Sequence, residues 1–377
     1  MTRKRKTNGK VRVMVVKRPF RAALWLVVLA LIVSGFVVSQ LYRTSLPPAA
    51  VVIPANSQPS LAQLLAMSPE QLAEVDIALM NLRCAEGLRG AEGLDVAAAL
   101  EMLGQYAHHA EAETARHLYR YHNNPAEFEN SEAWFRLVML NTVLQQDFGV
   151  RYNPERITSP GIFEPNETFY ASARDVFIHG LTSPPVMGTC SSMPVLFVAV
   201  GRRLGYPLSL VSTKSHLFVR WQDSRDYFNV DATSIGLTRY DDDYFKTWPF
   251  KITDEETRLD GYLKSMTPRE ELACFMSIRG SCLMSMHRFD EAVAAETEAA
   301  RLVPHIRSHQ IVPQMARREA EQKSHPVFIP PDPILQTTGD EADWAARRAE
   351  ILNRQRRGPD PLDPTPQIPG FGPRPNR

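Results

Sequence analysis

The sequence predicts an α+β protein preceded by one N-terminal transmembrane helix. Three patterns support this prediction: an uncharged apolar segment follows a basic N-terminus, residues 60–150 and 263–322 have helical periodicity, and short β-like runs lie between those two regions. The chain has 377 residues, 44% of them hydrophobic, so it is not a wholly disordered protein. A net charge of +1 and four cysteines argue against a protein that coats nucleic acid, a disulfide scaffold and a cysteine-rich zinc protein.

The N-terminus has the pattern of a membrane anchor. Every charged side chain in residues 1–21 is basic, and residues 22–39 carry no charge. A helix over 22–42, at about 1.5 Å per residue, spans the roughly 30 Å hydrocarbon core. The positive-inside rule predicts a cytoplasmic N-terminus and an extracytoplasmic bulk, periplasmic in a bacterium. A cleaved signal peptide and a buried core helix are the alternatives, and residues 43–59 are predicted to form a linker.

Residues 60–150 are predicted to form a helical region. The motif at 68–71, Ser-Pro-Glu-Gln, fits a capping box, and the helix that it begins is expected to end near Gly87. Two more helices are predicted, over 95–121 and over 131–149.

Cys190 lies at the start of the most informative segment, within the core predicted for residues 151–262. An apolar helix is expected to start near Ser192 and to end at Gly205, because its apolar residues share one face. Cys190 therefore lies at or just before a helix N-terminus, where unpaired N–H groups and the helix dipole favour a thiolate.

Three β-like runs follow this helix, at 208–213, 216–221 and 227–231. Neighbouring antiparallel strands lie about 4.8 Å apart, so His216 and Asp231 can meet across the sheet. An imidazole can take the proton of a thiol near neutral pH, and a carboxylate can fix the tautomer of that imidazole. This chemistry requires neither a metal nor a cofactor.

The order of these motifs resembles the transglutaminase-like core of the papain-like thiol fold. The residues that carry the resemblance are Gly-Thr-Cys at 188–190, Leu-Gly-Tyr-Pro at 204–207, the strand that begins at His216, and Asn-Val-Asp-Ala-Thr at 229–233. The resemblance covers roughly residues 175–236. It implies Cys190 as nucleophile, His216 as base and Asp231 as the acid that orients it.

The activity implied by this resemblance is acyl transfer or amide hydrolysis through a thioester, which gives crosslinking, deamidation or peptide cleavage. The substrate would be a protein or a peptide, with no cofactor. Two alternatives remain: a non-catalytic binding module that retains the fold, and a structural protein of the cell envelope.

Residues 263–322 are predicted to form a helical hairpin. Its apolar and small residues have the spacing of a tetratricopeptide repeat, which is also found in some transglutaminase-like relatives, although Glu296 stands where a large apolar residue is common. An ordinary helical hairpin is the alternative, and a protein partner is expected at this region. Residues 323–377 are rich in proline and are predicted to be a largely disordered tail.

Other residues suggest weaker hypotheses. His179 is a rival base, and Asp241 to Asp243 form either a calcium site or a solvated turn. The stripe His109, Glu113 and His117 is either a metal site or a paired polar surface. Of the other cysteines, Cys274 and Cys282 are predicted to lie about 12 Å apart on one helix, too far to bridge, whereas Cys84 could pair with either.

Overall fold

The computed structural model describes residues 58–157 and 168–324, with side chains described as far as residue 321. Within these residues, helices precede and follow a four-stranded antiparallel sheet, which confirms the α+β class. The predicted basic segment, the transmembrane helix and nearly all of the linker and tail lie outside the described residues. In the part that is described, no helix is long and apolar enough to cross a membrane.

The N-terminal helices begin at polar residues that cap them. The elements in this region are α1 (Leu61–Ala66), α2 (Pro69–Ala73), α3 (Ile77–Ala85), α4 (Val96–Asn123) and α5 (Glu132–Thr142), the last continuing as a π-helical turn over Val143–Asp147. The predicted capping box at Ser68 is confirmed. The single helix expected from there to Gly87 is wrong, because the Asp76 side chain accepts from the backbone N–H of Ala78 and begins a new helix.

The central region contains both sheets and the helix that follows Cys190. Its elements are β1 (Arg151–Tyr152), α6 (Ala173–Val176), β2 (Met187–Gly188), α7 (Met193–Arg203), β3 (Leu208–Thr213), β4 (His216–Gln222), β5 (Tyr227–Val230) and β6 (Arg239–Tyr240). β1 pairs with β2 in parallel, and the other strands form an antiparallel sheet in the order β3-β4-β5-β6. Nine residues of α7 are buried, so this helix lies in the main core.

The turn between β3 and β4 places His216 at the beginning of its strand. Thr213 pairs with His216, so the connection has just two residues, Lys214 and Ser215. Ser215 has a φ of 62°, in the left-handed region that tight turns often require.

A short helix, α8 (Asp242–Thr247), covers the sheet face that bears His216. The rings of Phe218 and Phe245 stack with centroids 3.8 Å apart, and Arg220 donates to Asp242 at 2.6 Å. Phe218 and Phe245 belong to a second, smaller core that also contains Val211. The next helix, α9, spans Asp254–Leu259.

Three helices complete the described chain: α10 (Pro268–Ser285), α11 (Phe289–Leu302) and α12 (Arg307–Ser324). α10 packs on the N-terminal helices, where Arg279 donates to the backbone oxygens of Cys84 and Glu86 at 2.8 and 2.7 Å. It also contacts α7 through an ion pair of 2.6 Å between Arg202 and the fully buried Glu271. The hairpin is therefore part of the same packed unit as α7, the helix that follows Cys190.

Candidate active site

Cys190 lies in the turn between β2 and α7, and neighbouring side chains fix the shape of that turn. The Thr189 and Ser192 hydroxyls both donate to the backbone oxygen of Asp175, at 3.1 and 2.8 Å. The backbone N–H of Thr189 donates to Ser192 Oγ at 3.0 Å. A Cβ at Gly188 would lie 2.4 Å from that same Oγ, so a larger residue there would have to displace the Ser192 side chain. The turn therefore holds the half-buried Cys190 thiol between the buried residues Thr189 and Ser192.

His216 and Asp231 meet as the sequence predicts. His216 Nε2 lies 3.3 Å from Asp231 Oδ2, and both side chains are buried. The other carboxylate oxygen, Oδ1, accepts from the backbone N–H and the hydroxyl of Thr233 at 2.9 and 2.7 Å, which fixes the orientation of Asp231. Cys190 lies close enough to the His216 ring to influence its charge. The structure thus brings the three predicted site residues together.

The electrostatics of this group favour an imidazolium ion. Burial alone would lower the pKa of His216, but the negative charge of Asp231 and the nearby Cys190 raise it above its usual value. Burial opposes ionisation of Asp231 as well, yet His216 and Thr233 hold the pKa of this carboxyl below its usual range. A positive charge beside a cysteine is the partner that a reactive thiolate needs.

Aromatic rings cover the imidazole, and sequence reasoning did not identify them. The ring of Trp248 lies edge-on to His216 with centroids 4.7 Å apart, and Phe245 stacks on it at 6.3 Å. Both rings come from α8 and the residue after it, which fold back over the sheet. No local pattern marks them, because their position depends on how α8 packs.

Tyr152 is a second residue that sequence reasoning missed. Its hydroxyl lies close enough to Cys190 for the two groups to interact electrostatically. It also donates to the backbone oxygen of Arg156 at 3.3 Å. The strand that carries Tyr152 has only two residues, so neither its length nor a period-two pattern could reveal it.

The residues that the sequence suggested as weaker candidates have structural roles. The structure places Nε2 of His179 2.9 Å from the backbone oxygen of Gly90, a contact that fixes this buried ring. Asp241 caps α8 through the backbone N–H of Tyr244. Asp242 accepts hydrogen bonds from Arg220, Asn229 and Tyr227, and Asp243 forms an exposed ion pair with Lys246.

On the polar stripe of α4, His109 pairs with Asp147 at 2.9 Å. Glu113 accepts from Arg116 at 2.7 Å and lies 3.6 Å from His117. Across residues 58–157 and 168–324, no group of three or more His, Cys, Asp or Glu side chains is placed to hold a metal ion.

All four cysteines are free thiols. Cys84 Sγ lies 3.9 Å from the sulfur of Met276 rather than against another cysteine. Burial raises the pKa of Cys84, Cys274 and Cys282 to about 12 in each case, so these thiols are expected to stay protonated.

Comparison of the chain with protein-family models, with curated proteins and with solved structures gives no match.

Proposed function

We propose that this protein is a thiol enzyme that transfers or hydrolyses acyl groups through a thioester on Cys190. The observation that carries the proposal is the placement of Cys190 beside an imidazole that lies 3.3 Å from the Asp231 carboxylate. A nucleophile, a base and a group that orients the base are the three parts that such chemistry requires.

The proposed fold for residues 151–262 is a transglutaminase-like core of the papain-like class. The order of a cysteine before a buried helix, a histidine at the start of one strand and an aspartate at the end of the next supports it. The hairpin of α10 and α11 is proposed as a tetratricopeptide-like unit that offers a surface to a protein partner.

In the proposed reaction, His216 takes the proton of the Cys190 thiol. The sulfur forms a bond to the carbonyl carbon of an amide, and the carbonyl π electrons move onto oxygen. Collapse of this intermediate breaks the C–N bond, and His216 gives its proton to the departing amine. A second amine or a water then attacks the thioester and gives a proton to His216, which leaves a new amide or an acid and restores the thiolate.

The buried ion pair explains why this histidine can serve in both steps. Asp231 stabilises the imidazolium, so His216 holds the proton between the departure of the thiol proton and its transfer to the amine. Trp248 and Phe245 cover the ring and exclude water from its faces, which strengthens these charge interactions.

The protein is proposed to work on the extracytoplasmic side of a membrane. The apolar segment 22–42 behind a basic N-terminus supports a single-pass anchor with its N-terminus in the cytoplasm. The substrate is proposed to be a protein or a peptide, because the reaction acts on amides.

Trapping an acyl-enzyme tests this proposal. The full-length chain is mixed with p-nitrophenyl acetate and with glutamine-containing peptides, quenched in acid, and analysed by intact mass and peptide mapping. We expect an adduct on Cys190 in the wild type, much less in His216→Ala, and none at this position in Cys190→Ala. Folded wild-type protein that forms no Cys190 adduct with any of these acyl donors would instead support a non-catalytic binding module.

A further inference from the structure

Tyr152 lies beside the backbone that leads to Cys190, although 38 positions separate them in the sequence. The parallel pairing of β1 with β2 sets Tyr152 opposite Gly188, and the backbone N–H of Asn153 donates to the oxygen of Gly188 at 2.8 Å. Tyr152 therefore keeps a fixed position relative to the turn that holds the thiol.

Asp175 forms hydrogen bonds both with the segment that follows Tyr152 and with the turn that contains Cys190. Its carboxylate accepts from Asn153 Nδ2 at 2.9 Å and from Arg156 Nε at 2.7 Å, and these residues lie one and four positions after Tyr152. Its backbone oxygen accepts the hydroxyls of Thr189 and Ser192, which flank Cys190. Because one buried residue anchors both segments, the distance from Tyr152 to Cys190 is set before any substrate arrives.

A substrate carbonyl oxygen must develop its charge close to Cys190, and the Tyr152 hydroxyl is a hydrogen-bond donor in the same neighbourhood. That oxygen belongs to the carbon bonded to Sγ, and it must lie within reach of the Cys190 backbone N–H. The Tyr152 hydroxyl interacts electrostatically with Cys190, and its strand is paired with the segment that leads to that residue. Burial and the nearby charges of Cys190 and Asp231 raise the pKa of the phenol, so it keeps its proton and remains a donor at neutral pH.

We propose that Tyr152 is a catalytic residue whose hydroxyl donates a hydrogen bond to the oxyanion of the tetrahedral intermediate on Cys190. When substrate binds, its carbonyl oxygen accepts a hydrogen bond from the Cys190 N–H. The phenol then turns its hydrogen from the Arg156 backbone oxygen to the substrate oxygen. It donates without losing the proton, and it is released when the intermediate collapses. This inference rests on the proposed function.

The variant Tyr152→Phe tests the role because two reactions of the same thiol differ in their need for an oxyanion donor. Acylation by p-nitrophenyl acetate passes through an oxyanion, whereas alkylation by iodoacetamide displaces iodide at carbon and forms none. We expect acylation of Cys190 to slow by about 10²- to 10³-fold, the usual effect of removing one such donor. Alkylation should change by less than about threefold, since the thiolate and its imidazolium partner remain.

Tyr170→Phe is the matched control. Tyr170 is another buried tyrosine that interacts with Cys190, but it lies outside the strand that pairs with the segment before Cys190. We expect both rates in Tyr170→Phe to match the wild type.

Each outcome decides the assignment. A Tyr152→Phe chain that acylates as fast as the wild type would overturn it, and so would equal losses in acylation and alkylation, which indicate a structural role alone. If wild-type Cys190 alkylates rapidly but accepts no acyl group, the proposed function fails and the Tyr152 role fails with it. That result is distinguishable because the wild type alone reveals it.

Discussion

The buried carboxyl of Glu296 should make the stability of this protein fall as pH rises through the neutral range. Glu296 is 3% exposed and lies between α11 and α10, where Ser277 Oγ donates to its Oε2 at 2.8 Å. The same hydroxyl lies 3.3 Å from Nδ1 of His309 on α12. Burial raises the pKa of Glu296 to about 8 against 4.5 in the unfolded chain, despite the opposing effect of the Ser277 hydrogen bond.

The sign of the effect follows from these two pKa values. Below pH 4.5 the carboxyl is protonated in both states and costs nothing. Between pH 4.5 and about 8 the unfolded chain ionises and the folded chain does not, so the free energy of unfolding falls as pH rises. At about 1.4 kcal/mol per pH unit, the loss by pH 7 is on the order of 3 kcal/mol. His309 adds no charge there, because burial lowers its pKa to about 4.

Glu296→Gln removes this linkage and keeps the shape of the side chain. Its amide can still hydrogen-bond to Ser277, so we expect the variant to match the wild type near pH 4.5 and to be more stable by about 3 kcal/mol at pH 7. Urea unfolding of the full-length chain, followed by circular dichroism at several pH values, measures the difference.

The control variant is Glu298→Gln on the same helix, whose carboxylate forms a half-exposed ion pair with Arg301 at 2.7 Å. The Glu298→Gln substitution should change the free energy of unfolding by no more than about 1 kcal/mol at every pH. If Glu296→Gln and the wild type have the same stability at every pH tested, Glu296 is not a buried neutral acid and the reasoning is refuted.

Three further predictions concern the site and the hairpin. Asp231→Asn removes the charge that raises the pKa of His216, so iodoacetamide alkylation of Cys190 at pH 6 should slow by about tenfold or more, and an unchanged rate would contradict the ion pair. Gly280→Ala brings a Cβ within 2.5 Å of Glu296 Oε1 and should cost about 1 to 3 kcal/mol in urea unfolding, whereas a neutral effect would show that α10 and α11 are not closely packed there. Gly188→Ala should reduce both folding yield and Cys190 acylation because its Cβ meets Ser192 Oγ at 2.4 Å, and normal values for both would contradict the geometry of the turn.

Local patterns were sufficient to predict the elements that carry the predicted triad. The apolar face after Ser192 identified α7, and the β-branched and aromatic runs identified β3, β4 and β5. Because alternate residues on a strand share a face, the pairing of His216 with Asp231 could also be predicted. All of these signals involve residues that are close in sequence.

The rest of the site depends on contacts between distant segments. Tyr152 reaches Cys190 through a two-residue strand that pairs in parallel with another two-residue strand, and neither is long enough to leave a pattern. Trp248 reaches His216 only because α8 folds over the sheet. The break between α2 and α3 arises because the side chain of Asp76 begins a new helix, an effect that apolar periodicity does not record.

The central claim is that a positively charged His216 keeps Cys190 reactive. The most direct test compares how fast iodoacetamide alkylates each cysteine of the same chain. Full-length protein is labelled at pH 6, native or in urea, and each cysteine is quantified by peptide mass. Cys190 should react at least about tenfold faster in the native chain than in the denatured one, where an ordinary thiol is almost fully protonated. The buried thiols of Cys84, Cys274 and Cys282 should react more slowly when native. A native Cys190 that reacts no faster than the denatured one would contradict the account.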